Sequence, residues 1–203
     1  MSSRSGGRGG AVSLPAGMRV AAGLLVLLLA AGCSLSEPES TPEPTPSRAP
    51  QVELDFTLPS GMKEVEVPSS PPTQGMVYDI TLYTGPDGCE LRAVRLLLPK
   101  ADGNEDIDAS YTMLGAVMSS SGVDKFETTG LAIAGEPGPV PALAMEGSST
   151  ELELRAAGRL SNDSLQGFQV VYGCPKGRLQ EDRWNHLVAT ITVDGFQGSL
   201  EQD

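Results

Sequence analysis

The chain has 203 residues, 14 basic and 26 acidic, which gives a formal net charge of −12. This acidic balance argues against binding to a nucleic-acid backbone and against electrostatic docking on anionic lipid head groups, because both need clustered Lys and Arg. The sequence contains no phosphate-binding loop, no dinucleotide fingerprint and no Gly-x-Ser-x-Gly motif, so these common enzyme classes have no support.

The first 33 residues contain basic residues, then an apolar run, and then small residues. Arg4, Arg8 and Arg19 precede an apolar run over 20–29, and Ala30-Ala31-Gly32-Cys33 closes it. This order is typical of a secretory signal peptide. Its end resembles the lipobox of bacterial lipoproteins, although Ala stands three places before the Cys, where Leu is more usual. In that family the Cys receives a diacylglyceryl group and becomes the first residue of the mature chain.

The resemblance implies a signal peptide over 1–32 and a fatty-acyl anchor, of the palmitate type, on Cys33. It places the mature protein on the extracytoplasmic face of the cell membrane. A transmembrane helix is the alternative, but the apolar core of about a dozen residues is shorter than the roughly 20 that a span needs. Met18, directly before Arg19, would begin a compact signal peptide and is interpreted as a second possible start.

Residues 33–51 are rich in Pro, Ser, Glu and Thr and contain few large apolar side chains. Such a segment cannot bury enough surface to offset the entropy of ordering, so we predict a disordered tether.

Loss of residues 1–32, which hold three Arg and no acid, changes the formal charge from −12 to −15. Attachment of so acidic a chain to a membrane therefore depends on acyl groups.

Residues 52–203 are numerous enough for one domain with its own core. Hydrophobic periodicity predicts four early strands, at 52–58, 62–67, 76–83 and 89–98. Turn residues separate them at 59–61 and 85–88, and a Pro-rich loop covers 69–74. We expect the four strands to form an antiparallel meander.

A helix follows the early strands. Asp102 or Asn104 is predicted to cap its N-terminus, and acidic residues crowd its first turn, where they suit the helix dipole. Gly122 is predicted to end the helix. Its core-facing positions are predicted at three- and four-residue steps, at Ile107, Tyr111, Leu114, and Val117 or Met118.

The second half of the domain is predicted to hold further strands and a final helix. A short segment at 130–134 and a Pro/Gly loop at 136–141 precede strands at 142–146, 151–160 and 168–172. The helix spans about 179–191, and its core-facing stripe comprises Trp184, Leu187, Val188 and Ile191. Strands and helices without regular alternation favour an α+β sandwich with a mostly antiparallel sheet.

Two cysteines remain after Cys33, at positions 89 and 174. An even pair in an exported domain most often forms a disulfide, so we predict a bond between Cys89 and Cys174. Two free thiols or two metal ligands are the alternatives. A metal site lacks further ligands, since His186 is the sole histidine of the sequence.

The order of these segments resembles the Mog1/PsbP-like fold and, within it, the actinobacterial LpqN/LpqT-type lipoproteins. The matching segments are Leu58-Pro59-Ser60-Gly61-Met62, the Cys89 strand, the helix after 99–104, and the stretches 153–157, 169–175 and 184–192. Met62 departs from the bulky aromatic residue that relatives carry there. The resemblance implies an αβα sandwich, with helices on both faces of an antiparallel sheet. It also implies a binding or assembly module, because members of this fold mostly act as such modules, many of them with no known activity.

Three groups of residues are candidates for a functional site. Asp102 to Asp108 begins like a calcium loop, but Ile107 and Met113 occupy positions that need Gly and Glu, so helix capping is the favoured interpretation. His186 is interpreted as an exposed surface residue rather than a general base. Trp184 is interpreted as a core residue rather than a ligand platform.

The arginines of the predicted strands form the third group. Arg155 and Arg159 share a strand face, whereas Arg92 and Arg95 fall on opposite faces. An anion-binding face is one interpretation, and cross-strand ion pairing is the favoured one. The partners expected for these pairs are Glu90, Glu151 and Glu153.

Three functions follow in order of preference. The first is a non-enzymatic interaction module of the cell envelope, held at the membrane through Cys33 and binding another envelope protein. The second is a carrier of an apolar small molecule such as a lipid, and the third, ranked low, is a hydrolase. The sequence predicts no cofactor, no metal and no nucleic-acid partner.

Overall fold

The computed structural model describes residues 52–67, 76–85 and 87–196, which fall within one compact unit. The predicted signal peptide, Cys33, the tether and the loop at 69–74 lie outside the described residues. Of the helices within these ranges, none has the length and apolar character needed to cross a membrane.

The described part of the chain forms nine strands and two helices. In chain order they are β1 (Glu53–Asp55), β2 (Lys63–Val65), β3 (Val77–Thr84), β4 (Glu90–Leu97), α1 (Asp106–Ser120), β5 (Phe126–Ile133), β6 (Val140–Ser148), β7 (Leu152–Ser161), β8 (Gln166–Pro175), α2 (Glu181–Thr190) and β9 (Thr192–Asp194).

Seven strands form an antiparallel sheet in the order β2-β3-β4-β8-β7-β6-β5. The predicted α+β class with a mostly antiparallel sheet is therefore confirmed. The predicted meander is confirmed for β2, β3 and β4 but is wrong for the first strand. β1 instead pairs with β9, where Leu54 lies opposite Val193. β9 was not predicted, because it has three residues and follows the last helix without a turn signal.

The two helices pack on opposite faces of the seven-stranded sheet. Successive side chains of β7 point to these two faces in alternation. Leu154 and Ala156 point to one face and share a core cluster with Leu114 of α1. Ala157 points to the other face and shares a second cluster with Leu187 of α2. One face of the sheet thus packs against α1, and the other packs against α2 together with residues of the β1–β9 pair such as Val193.

Helix α1 begins later than its predicted caps would place it. Glu105 occupies the N-cap position, and no side chain accepts a hydrogen bond from the first turn, so the predicted cap by Asp102 or Asn104 is wrong. Leu114 and Met118 are fully buried, as predicted. Tyr111 was predicted to face the core but is 48% exposed, because it lies beside Phe126 at the outer strand of the sheet, with ring centroids 6.1 Å apart.

The core-facing stripe of α2 is confirmed. Trp184 and Leu187 are buried, Ile191 is buried just after the helix ends, and Val188 is half-buried. The entry to α2 is held by Glu153 of β7, whose Oε2 accepts the backbone N–H groups of 177 and 179 at 3.1 and 3.4 Å. Burial raises the pKa of Glu153, but these hydrogen bonds and Lys176 together hold it below the ordinary value of 4.5.

Candidate functional site

A shallow groove lies where β1 crosses the outer part of the sheet. It encloses about 150 Å³ between β1 and the β3–β4 hairpin. Its lining residues are Leu54, Phe56, Asp79, Thr81, Tyr83, Ala93 and Arg95. The groove exists because β1 leaves the meander to pair with β9, which places its side chains over one face of β3 and β4.

An ion pair forms part of the groove floor. Asp79 and Arg95 lie directly opposite each other on β3 and β4, and their side chains are joined by a salt bridge. Both side chains are well exposed, so the pair contributes little to stability. Next to this ion pair, Thr81 lies opposite Ala93, and these two small side chains form the adjacent part of the groove floor. The floor therefore offers a charged donor and a charged acceptor to a ligand.

Aromatic side chains form the other end of the groove. The rings of Phe56 and Tyr83 meet edge to face, with centroids 5.8 Å apart. Partial burial raises the pKa of Tyr83, and the nearby carboxylates of Glu64 and Asp55 raise it further. Tyr83 is therefore neutral near pH 7, and its hydroxyl can both donate and accept a hydrogen bond.

The size of the groove limits what it can bind. Enclosed small-molecule sites usually measure about 300–1,000 Å³, whereas this groove measures about half of the lower figure and is open to solvent. An acyl chain would not be covered by it. A side chain or a small polar group of a larger partner matches its size and its mixture of aromatic and charged groups.

The predicted cysteine pair is brought together by β4 and β8. Cys89 and Cys174 are buried, their Cα atoms lie 4.1 Å apart, and their sulfur atoms are at bonding distance. They continue the register in which Glu90 lies opposite Gly173. The disulfide therefore joins two neighbouring central strands where β4 begins and β8 ends.

Three of the four arginines form ion pairs, but not with the predicted glutamates, and Arg92 forms none with the described residues. Arg95 pairs with Asp79, and Arg155 pairs with Glu146 on the neighbouring strand. Arg155 also reaches Glu181 at the start of α2. Glu153 instead accepts backbone N–H groups before α2 and forms a salt bridge with Lys176. These contacts explain why it is not a partner of these arginines.

Arg159 forms a buried ion pair that the sequence did not predict. Its side chain is 1% exposed, and its Nη2 lies 3.4 Å from Oδ2 of Asp106, in the first turn of α1. Burial lowers the pKa of Arg159, and the Asp106 carboxylate opposes that effect. Asp106 also accepts the backbone N–H of Asn162 at 2.7 Å. This pair fixes the start of α1 against the β7–β8 hairpin.

The calcium-like loop is explained by hydrogen bonds within the protein. Asp102 accepts the backbone N–H of Asn104 at 2.9 Å and the Nδ2 group of Asn162 at 2.8 Å. The Asn104 hydrogen bond is the main reason that the pKa of Asp102 is lowered, against a smaller opposing effect of burial. Within the described ranges, no group of three or more His, Cys, Asp or Glu side chains is placed to hold a metal ion.

The two remaining candidates lie on α2. His186 is exposed and Trp184 is buried, so the predicted surface position of His186 and core position of Trp184 are confirmed. Trp184 belongs to the core cluster that includes the disulfide. It therefore contributes to the packing of the domain core.

No model of a protein family matches the chain, and no curated protein matches it in sequence. The geometry of the described residues therefore carries the functional argument.

Proposed function

We propose that the chain is an extracytoplasmic lipoprotein, anchored in the cell membrane through acyl groups on Cys33. Its folded domain acts as a non-enzymatic binding module for another protein of the cell envelope. The proposal extends the lipobox resemblance of residues 30–33 to the domain that follows it.

The observation that carries the proposal is the buried pair of Cys89 and Cys174. Disulfides form and persist outside the cytoplasm, whereas cytoplasmic thiols are kept reduced. A buried disulfide between β4 and β8 thus agrees with export, which the basic and apolar start of the chain predicts independently.

The fold adds a second line of support. An antiparallel sheet with one helix on each face is compatible with the Mog1/PsbP-like sandwich, and we propose that the domain adopts this fold and is related to the LpqN/LpqT-type lipoproteins. The resemblance favours a binding or assembly role. The open groove with Tyr83, Asp79 and Arg95 supports that role, because it suits contact with a larger partner.

The anchor is tested by exporting the full chain and a Cys33→Ser variant from an actinobacterial host. We expect the unchanged chain to incorporate a labelled fatty acid and the variant to incorporate none, since Cys33 is the proposed site of acylation. A Ser34→Ala variant is the matched control and should behave like the unchanged chain. Equal incorporation of the fatty acid into Cys33→Ser and the unchanged chain would contradict the proposal.

A further inference from the structure

Strand β5 is one outer strand of the seven-stranded sheet. Its eight residues, Phe126–Ile133, pair with β6 on one side. Among the residues that the structure describes, no strand pairs with the other side of Phe126–Ile133. Strand β9 reaches this side only just after β5, where Thr192 bridges Ala134. In an antiparallel ladder every second residue of such a strand turns its N–H and C=O groups away from the sheet. β5 therefore presents a row of hydrogen-bonding groups that another strand can use.

Outer strands are usually protected against such pairing by shortness, charge, proline or a covering element. β2, the strand at the opposite end of the sheet, has three residues and includes Lys63 and Glu64. β5 has eight residues, no proline and one charged side chain, Glu127. Five of its eight residues are exposed, so the protection found at β2 is largely missing at β5.

The charges beside β5 indicate what kind of strand it would accept. Glu127 lies directly opposite Glu146 on β6, and like charges in that position destabilise a sheet. Arg155 is shared between Glu146 and Glu181. No ion pair among the described residues includes Glu127, and Lys125, just before the strand, forms none either. The outer edge therefore has an acidic side chain that is not neutralised.

Apolar side chains lie on the other face of the same strand. Phe126 is half-buried against α1, and Tyr111 beside it is 48% exposed. In strand addition, main-chain hydrogen bonds hold the added strand, and its alternate side chains contact one face or the other. At β5 those two faces offer an acidic residue and an aromatic surface.

We propose that the outer edge of β5 binds an extended, basic segment of a partner protein by strand addition, with a Lys or Arg opposite Glu127. This inference rests on the proposed binding function and names the surface and the chemistry of the partner. The added cation would offset the repulsion between Glu127 and Glu146. An apolar residue at the next position would cover Tyr111.

The test uses the full exported chain and a synthetic peptide of about nine residues, alternating Thr and Val with one central Lys. At millimolar peptide, weak binding is measurable. We expect slower amide hydrogen exchange at alternate residues of 126–133. Glu127→Gln should weaken binding about two- to fivefold, as expected for loss of one cross-strand ion pair. Glu64→Gln, the same change on the opposite outer strand, is the matched control and should leave binding unchanged.

Five results would overturn the inference, four with the peptide and one without it. With the peptide, these are failure to bind, slower amide exchange only at the groove residues, or equal loss of peptide affinity in Glu127→Gln and Glu64→Gln. The fourth is unaltered binding of a peptide that carries Glu in place of Lys. A dimer that protects β5 without peptide would assign the edge to a second copy and also overturn it. The Cys33→Ser experiment does not depend on β5, so failure here and failure of the lipoprotein proposal are distinguishable.

Discussion

Replacing both Cys89 and Cys174 with Ala is expected to lower the free energy of unfolding by about 2–4 kcal/mol. The disulfide closes a loop with a sequence separation of 85 residues, so its loss gives the unfolded chain many more conformations. Both cysteines also belong to the core cluster around α2, and their removal weakens its packing. The measurement is urea denaturation of the exported chain and of the double variant.

The control for this prediction is reduction without mutation. The unchanged chain in reductant should lose a similar amount of stability, whereas Cys33→Ser should respond to reductant as the unchanged chain does. If the midpoint of unfolding is the same with and without reductant, the bond between β4 and β8 does not form or does not stabilise the fold, and the argument for export loses its support.

The second large effect is expected at the buried ion pair between α1 and β7. Asp106→Asn should lower the free energy of unfolding by about 3 kcal/mol or more, because it leaves the Arg159 guanidinium buried without a counter-charge. The new amide can still accept the backbone N–H of Asn162, so the change isolates the loss of charge. Denaturant unfolding near pH 7 measures the effect.

Arg159→Met is the matched comparison for Asp106→Asn. Met fills much of the same space without a charge, and Asp106 is 14% exposed and keeps its hydrogen bond to Asn162. We expect a loss within about 1 kcal/mol of the unchanged chain. The double variant should be more stable than Asp106→Asn alone, which a double-mutant cycle detects. Additive losses would show that the two residues are not coupled.

Parts of the fold with local signals were predictable. The stripe of Trp184, Leu187 and Ile191 identified α2, because apolar residues at helical spacing must face a core. The alternation over 76–83 and the turn at 85–88 identified the β3–β4 hairpin. In each case the pattern and the contact lie close together in sequence, so the residues themselves carry the information.

Parts that depend on distant contacts were not predictable. The pairing of Leu54 with Val193 joins the two ends of the domain, and neither three-residue strand has a periodic pattern long enough to identify its partner. Tyr111 fits the helical stripe of α1, but the stripe does not reveal that the sheet ends at β5. Asp102 was expected to cap α1, whereas its interaction with Asn162 depends on the β7–β8 hairpin.

The candidate sites divide in the same way. The cysteine pair follows from counting residues and from the exported context, so Cys89 and Cys174 were found from the sequence. The groove could not be found, because its walls come from β1 and its floor from β3 and β4. The burial of Arg159 was also missed, because strand alternation gives the face of a side chain but not its depth or its partner.

The most direct test of the central claim is the intact mass of the chain extracted from membranes of an expressing actinobacterial cell. The account predicts a chain that begins at Cys33, carries the mass of its acyl groups, and lacks the hydrogen atoms that disulfide formation removes from Cys89 and Cys174. A chain that begins at Met1 or Met18, has no acyl group and has both thiols free would contradict the account.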